Sequence, residues 1–393
     1  MTKPIFRNGN LPLLDPEIKK HGDRVTAFIR QKIYEHGEQI TFAHFMKLAL
    51  YAPGLGYYSA GLRKFGADGD FVTAPEISPL FAYCLANQCK PILAELAHPI
   101  ILEFGAGTGR LASDLLLMLE KENALPQKYL ILEISADLRK RQRQLLVQRC
   151  PNLLKRIVWL DRLPEEKFDG IIIANEVLDA MPVHKFRLDN NDIKEFYVTI
   201  HDNEFAWQLD EPDSIELIHA VKPIQQILSP VKNYDSEVNL MLTGWLNSCS
   251  ALLSRGLILL LDYGFPRHEY YHPQRNMGTL MCHFRHRSHA NPLILAGLQD
   301  ITAHVDFTLL AEKAVSAGLS VSGYTTQANF LLNCGITQIP TSTTAEQQLK
   351  LSNQIKLLTL PSEMGELFKV IALTRAIDIN LMGFQQGDRR GFL

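Results

Sequence analysis

An α/β fold is predicted: a mostly parallel sheet with helices on both faces, a helical N-terminal region before it and a β-rich insertion within it. Three observations predict it. Between residues 100 and 174 short apolar runs alternate with helical stretches, the pattern of β–α–β units in a parallel sheet. The run Ile100–Glu103 passes through Phe104-Gly105-Ala106-Gly107-Thr108-Gly109 into a stretch with Leu111, Leu115, Leu116 and Leu119 on one face, a strand–turn–helix whose bend carries almost no side chains. The next strongly apolar run, Leu257–Leu261, comes only after a long gap of alternating segments, which reads as antiparallel strands inserted into the sheet.

The elements follow in chain order. Val25, Phe28, Ile29 and Ile33 fit one face of a helix over Ile18–Tyr34, and Thr41 caps a second helix that runs to Leu50. Pro53-Gly54-Leu55-Gly56 is a turn, and the glycine-rich stretch Gly61–Ala74 is a long loop. A helix over Ser78–Leu96 leads to strand 1, Ile100–Glu103, with its helix from Arg110 to Glu122. Strand 2 is Tyr129–Glu133, its helix Ala136–Gln148, strand 3 Ile157–Trp159 and strand 4 Phe168–Ala174. Lys185–Leu188, Lys194–Ile200 and Phe205–Leu209 are the antiparallel strands. A helix over Val238–Ser254, ended by Gly256, returns the chain to the sheet at Leu257–Leu261. Phe307–Ala317 reads as a late helix and Lys369–Thr374 as a late strand. The organisation expected is a helical cover with a lid loop over 1–98, the first part of the core over 99–184, the insertion over 185–250 and the rest of the core over 251–393.

Composition narrows the function. The chain has 393 residues and a net charge of −2, a balance that gives no support to broad electrostatic binding of nucleic acid. The six cysteines are scattered and form no CxxC pair, so no zinc ribbon or thioredoxin motif is expected. Residues Met1–Asp15 contain no apolar h-region and no Arg- and Ser-rich amphipathic stretch, so neither signal nor transit peptide is expected, and the location expected is cytoplasmic. No apolar run approaches the length of a membrane span. His283, His286 and His289 lack both HExxH spacing and a cysteine pair, and no metal is expected. Arg139, Lys140, Arg141 and Arg143 read as a solvated helix face. Tyr263, Phe265, Tyr270 and Tyr271 either line a target pocket or pack under a long loop.

The glycine turn carries the chemistry. Backbone N–H groups at a helix N-terminus approach a small anionic or nucleotide-like ligand closely. A dinucleotide fingerprint would place its third glycine at Arg110; here it stands at Gly109, and Glu103 precedes the first glycine by two positions. That variant resembles motif I of the class I methyltransferases, which bind S-adenosylmethionine on a Rossmann-like sheet. Carboxylates or amides follow all four strands: Glu103, then Glu133, suited to both ribose hydroxyls, then Asp161 near an adenine edge, then Asn175 and Glu176. A dinucleotide oxidoreductase is the rival reading.

A wider resemblance covers nearly the whole chain. Gly69-Asp70-Phe71-Val72-Thr73-Ala74-Pro75-Glu76-Ile77-Ser78, Leu102–Gly109, Ala174–Ala180, Glu269-Tyr270-Tyr271-His272, Gly278-Thr279-Leu280 and Asp300–Phe307 are similar to the MidA family. Its mitochondrial members are assembly factors of respiratory complex I that make symmetric dimethylarginine. The resemblance implies an S-adenosylmethionine-dependent protein arginine methyltransferase acting on a respiratory-complex-related protein. The alternative is an assembly protein for which the cofactor is only a stabilising ligand.

Methyl transfer from a sulfonium is an in-line displacement, so positioning is the main resource of the protein. A guanidinium is a poor nucleophile, and paired carboxylates orient it and localise its charge. Glu176 is the first candidate for that role. Asp179 is a second, unless it caps a helix beginning there. His304 and Asp306 form a further candidate pair, against a structural histidine near a helix start. Thr73 and Glu76 cover the cofactor from the N-terminal loop, or cap and turn.

Overall fold

The computed structural model describes residues 14–60, 73–190, 192–228, 230–338 and 344–393. The Gly69–Val72 part of the first MidA-like motif, and most of the Gly61–Ala74 loop, lie outside the described residues. The described residues divide into two compact units: those within 1–71, 179–242 and 267–304 form the first, and those within 72–178, 243–266 and 305–393 the second.

The second unit is the α/β core. Its strands are β1 Ile100–Phe104, β2 Lys128–Leu132, β3 Ile157–Leu160, β4 Phe168–Asn175, β5 Leu253–Phe265, β6 Ser320–Thr326 and β7 Phe368–Arg375. Their order across the sheet is β3-β2-β1-β4-β5-β7-β6, with the short strand Val305–Asp306 beside β5. From β3 to β5 every pairing is parallel; β7 runs antiparallel to both β5 and β6. Helices α1 Pro79–Ala94, α2 Arg110–Lys121, α3 Ala136–Arg149 and α4 Phe307–Ser316 serve this sheet. Ile101, Ile131, Ile171, Ile173, Leu257 and Leu259 pack with Leu115, Leu116 and Leu119 of α2 in one core. Near-continuous apolar runs such as Ile171-Ile172-Ile173 fit strands covered on both faces.

One element differs from the sequence expectation in an informative way. The helix placed over Val238–Ser254 spans only Met241–Leu252, Val238 ends a strand, and Gly256 lies inside β5 instead of stopping the helix. Gly256 takes φ 144°, and a Cβ there would stand 1.8 Å from the Gly170 carbonyl oxygen. Gly170 in turn faces Ile100, again with 1.8 Å to a carbonyl oxygen. Here glycine marks a close backbone approach across three adjacent strands, not a helix terminus.

The first unit joins the N-terminal helices Pro16–Glu35 and Phe42–Tyr51 to two antiparallel sheets. Strands His184–Asp189, Asp192–His201 and Glu204–Asp210 are where alternation placed them, and Gln39–Thr41 and Tyr234–Val238 extend the same sheet. The helix Ile215–Leu228 has no counterpart among the sequence expectations, its pattern interrupted by Pro223. Val25, Ile29, Phe42, Phe45, Tyr57 and Val198 form the core of this unit.

Candidate functional site

The glycine turn caps β1 at the carboxyl edge of the parallel strands. Gly105, Gly107 and Gly109 take φ of 60°, 54° and 87°, three alternating left-handed positions that side chains resist. Gly105 N–H still donates to Leu132 O at 3.2 Å, so the sheet continues into the bend. Ser113 N–H donates to Gly109 O at 3.0 Å and starts α2. The first turn of that helix therefore directs its open N–H groups and its positive dipole end toward the bend.

Glu133 stands one residue past β2, nearly buried. Its Oε1 accepts the Ser135 N–H at 2.8 Å and its Oε2 accepts Gln142 Nε2 at 3.0 Å. These donors fix the orientation of the carboxylate. Glu103, buried in β1, accepts the Tyr129 hydroxyl at 2.8 Å. Burial pushes its pKa up to about 7, aided by the Glu133 charge and opposed by the Tyr129 hydrogen bond.

Glu76 lies on the short helix Ala74–Ile77 and accepts the hydroxyl of Thr108, inside the glycine turn. Thr73 precedes that helix, its carbonyl accepting the Glu76 N–H at 3.0 Å. Asp161 is exposed directly after β3. Asn175 ends β4 and donates to Glu176 Oε1 at 3.1 Å. Glu176 itself takes φ 54°, an uncommon conformation for such a residue and one that clusters at functional sites. All these residues belong to the second unit.

The remaining candidates fall elsewhere. Asp179 is buried in a turn of the first unit where no helix begins, which removes the capping alternative; its carbonyl accepts the Ala303 N–H at 2.9 Å. His304, also of the first unit, donates its N–H to Thr279 Oγ1 at 3.1 Å. Asp306, of the second unit, caps α4 through the Leu309 N–H at 3.0 Å. Tyr270 and Tyr271 are buried in the first unit, with Tyr271 bonded to Glu237 O at 3.0 Å, as the packing alternative has them. His283, His286 and His289 fall on a hairpin that turns through Arg285 and His286. Among the described residues no group of three or more His, Cys, Asp or Glu could hold a metal, and no helix is long and apolar enough to cross a membrane.

Two residues that the sequence reading passed over organise the site. Gln142 on α3 is fully buried and bonds to both Gly107 O and Glu133. Its signal was a polar residue on the inner stripe Leu138, Gln142, Leu146. Asp262, at the carboxyl end of β5, accepts the Val177 and Leu178 N–H groups at 3.2 and 2.8 Å. It is another acid directly after an apolar run.

A glycine-rich bend after β1, an oriented carboxylate after β2 and this strand order define a class I S-adenosylmethionine-dependent methyltransferase. The places expected for the cofactor are the bend for its amino-acid end and Glu133 for its sugar. Residues 84–325 match the family described as "Putative S-adenosyl-L-methionine-dependent methyltransferase", and the chain belongs to it. A Burkholderia thailandensis protein crystallised with S-adenosyl-homocysteine is 41% identical, with a TM-score of 0.92 over 98% of this chain and 100% of that one. Among curated proteins, the Homo sapiens protein arginine methyltransferase NDUFAF7, mitochondrial, is 26% identical over 94% of this chain and 86% of its own length. The Drosophila melanogaster homologue is also 26% identical, over 88% and 83%. The methyltransferase class, its cofactor and the MidA-like relationship stand on these findings together.

Proposed function

We propose that this methyltransferase modifies a protein at arginine, by symmetric dimethylation, and that its target is a respiratory-complex-related protein. The observation that carries the reading is Glu176: a carboxylate at the edge of β4, on a left-handed corner, with the Asn175 amide against its Oε1. When bound, S-adenosylmethionine supplies a methyl group on a sulfonium. The Glu176 carboxylate then accepts guanidinium N–H bonds, aligns one nitrogen and draws the positive charge toward the nitrogens it touches. Arginine-methyltransferase relatives matching 94% of the chain, at 26% identity, support the substrate class. Asp179, His304 and Asp306 belong to the same proposal as single substitutions to be tested beside Glu176.

The test is incubation of the protein with radiolabelled methyl donor and a lysate of its own cell, followed by mass-spectrometric mapping of the label. Symmetric dimethylarginine on a protein is the expected product. Label on lysine, on a small molecule or on RNA overturns the substrate class. Intact S-adenosyl-homocysteine binding with no label anywhere, and with partner assembly retained, would favour the assembly role instead.

A further inference from the structure

We propose that Gln142 is a cofactor-positioning residue: one side-chain amide sets the separation between the glycine turn and the ribose carboxylate. The inference rests on the reading of Gly107 and Glu133 as cofactor contacts. Gln142 Oε1 accepts the Trp159 indole N–H at 3.0 Å. An indole nitrogen only donates, so the amide oxygen faces Trp159 and the NH2 group must point the other way. That NH2 group donates to Gly107 O and to Glu133 Oε2, each at 3.0 Å. The two acceptors therefore lie no further apart than the sum of those bonds. One belongs to the amino-acid end of the crevice and the other to its sugar end.

The surroundings hold this bridge in place. A Cβ at Gly109 would stand 3.2 Å from Gln142 Cα and 3.3 Å from its Cβ, so the third glycine of the turn is what lets α3 come this close. Asp114 of α2 pairs with Arg149 of α3 and, at 2.8 Å, with Arg110, locking the two helices together. Ser135 holds the other Glu133 oxygen. Gln142 thus does more than satisfy a buried amide: it ties the two ends of the cofactor cradle to one rigid group.

The test compares the wild type with Gln142→Glu and Gln142→Met by calorimetric titration of S-adenosyl-homocysteine and of adenosine. Gln142→Glu keeps the acceptor for Trp159 but loses both donated bonds and sets a second carboxylate beside Glu133. At pH 8 its Kd for S-adenosyl-homocysteine is expected to rise about 10- to 100-fold over wild type. The variant-to-wild-type ratio then falls several-fold by pH 6, as the carboxyl pair takes up a proton and regains a donor. Gln142→Met is expected to weaken S-adenosyl-homocysteine more than adenosine, which engages the sugar end alone. A ratio near one at pH 8 overturns the proposal. So does a loss that is independent of pH and equal for both ligands, or unfolding of both variants, since each would mean a purely structural amide. If the wild type itself fails to bind S-adenosyl-homocysteine, the cofactor reading falls and this inference with it.

Discussion

Asp262 holds Leu178 by its backbone: the buried carboxylate accepts the Leu178 N–H at 2.8 Å from across the sheet. The same Oδ2 takes the Val177 N–H, and Oδ1 takes the Tyr263 N–H at 2.9 Å. These bonds fasten the segment directly after Glu176, so they fix where its left-handed corner points. Asp262→Ala leaves three backbone donors short of their acceptor. It is expected to cost about 2–4 kcal/mol of stability and to cut methyl transfer about 100-fold or more through a misplaced Glu176. Because the proposed cofactor contacts lie on β1, β2 and α3, S-adenosyl-homocysteine affinity should change far less than turnover. Equal losses in both would refute the division of labour.

Glu103 makes stability depend on pH. Its pKa rises from 4.5 to about 7 on burial, so between those values the folded state keeps a proton that the unfolded chain has released. Stability therefore declines as pH climbs from about 4.5 toward 7 and levels off above. Glu103→Gln preserves an acceptor for Tyr129 and removes the ionisation. Its melting temperature should exceed that of wild type by several degrees at pH 8 and converge with it near pH 5. Parallel curves for the two proteins would count against the shift.

Gly256 shows where local reading of the chain fails. Gly after a helical pattern is ordinarily a stop signal, yet this one is selected by contact with Gly170, whose own constraint comes from Ile100. The parallel strands and the glycine turn were legible because their evidence is local: continuous apolar runs, then an acid or a glycine. Gln142 and Asp262 were not, because their partners lie on other elements, Gly107 and Glu133 for one and Leu178 for the other, so no local pattern marks them. The helix Ile215–Leu228 was obscured by a proline inside it. Gly256→Ala should abolish folding or cost more than about 4 kcal/mol, measured by denaturant titration. A mild effect would show that the strands can part there.

Thr108 and Glu76 join the glycine turn to the segment Thr73–Ser78. Gln354 anchors the far end of that segment through Ile77 O and the Ser78 hydroxyl, both at 2.9 Å. Glu76→Ala and Thr108→Val are each expected to weaken S-adenosyl-homocysteine binding about 3- to 10-fold, with a coupling of about 1 kcal/mol in the double-mutant cycle. The bond is only half-buried, which keeps that figure small. Additive effects of the two substitutions would mean that the contact does not support the turn.

On the proposed reading, Glu176 sets stability against activity at one residue. Its φ of 54° costs a residue with a Cβ about 1 kcal/mol relative to glycine, and a strained corner persists only where its surroundings over-determine it. Asp262 supplies that restraint through the next two N–H groups. Glu176→Gly removes the strain together with the carboxylate. The expected variant melts higher than wild type, by about 0.5–1 kcal/mol after the lost Asn175 contact is counted. It should bind S-adenosyl-homocysteine unchanged and transfer methyl groups at least about 100-fold more slowly. Glu176→Ala keeps the strain and loses the carboxylate, so it should be equally slow without the gain in stability. If the glycine variant is no more stable than the alanine variant, the corner is not strained. If either retains activity, the orienting carboxylate is another residue, and Asp179, His304 and Asp306 are next to be tested.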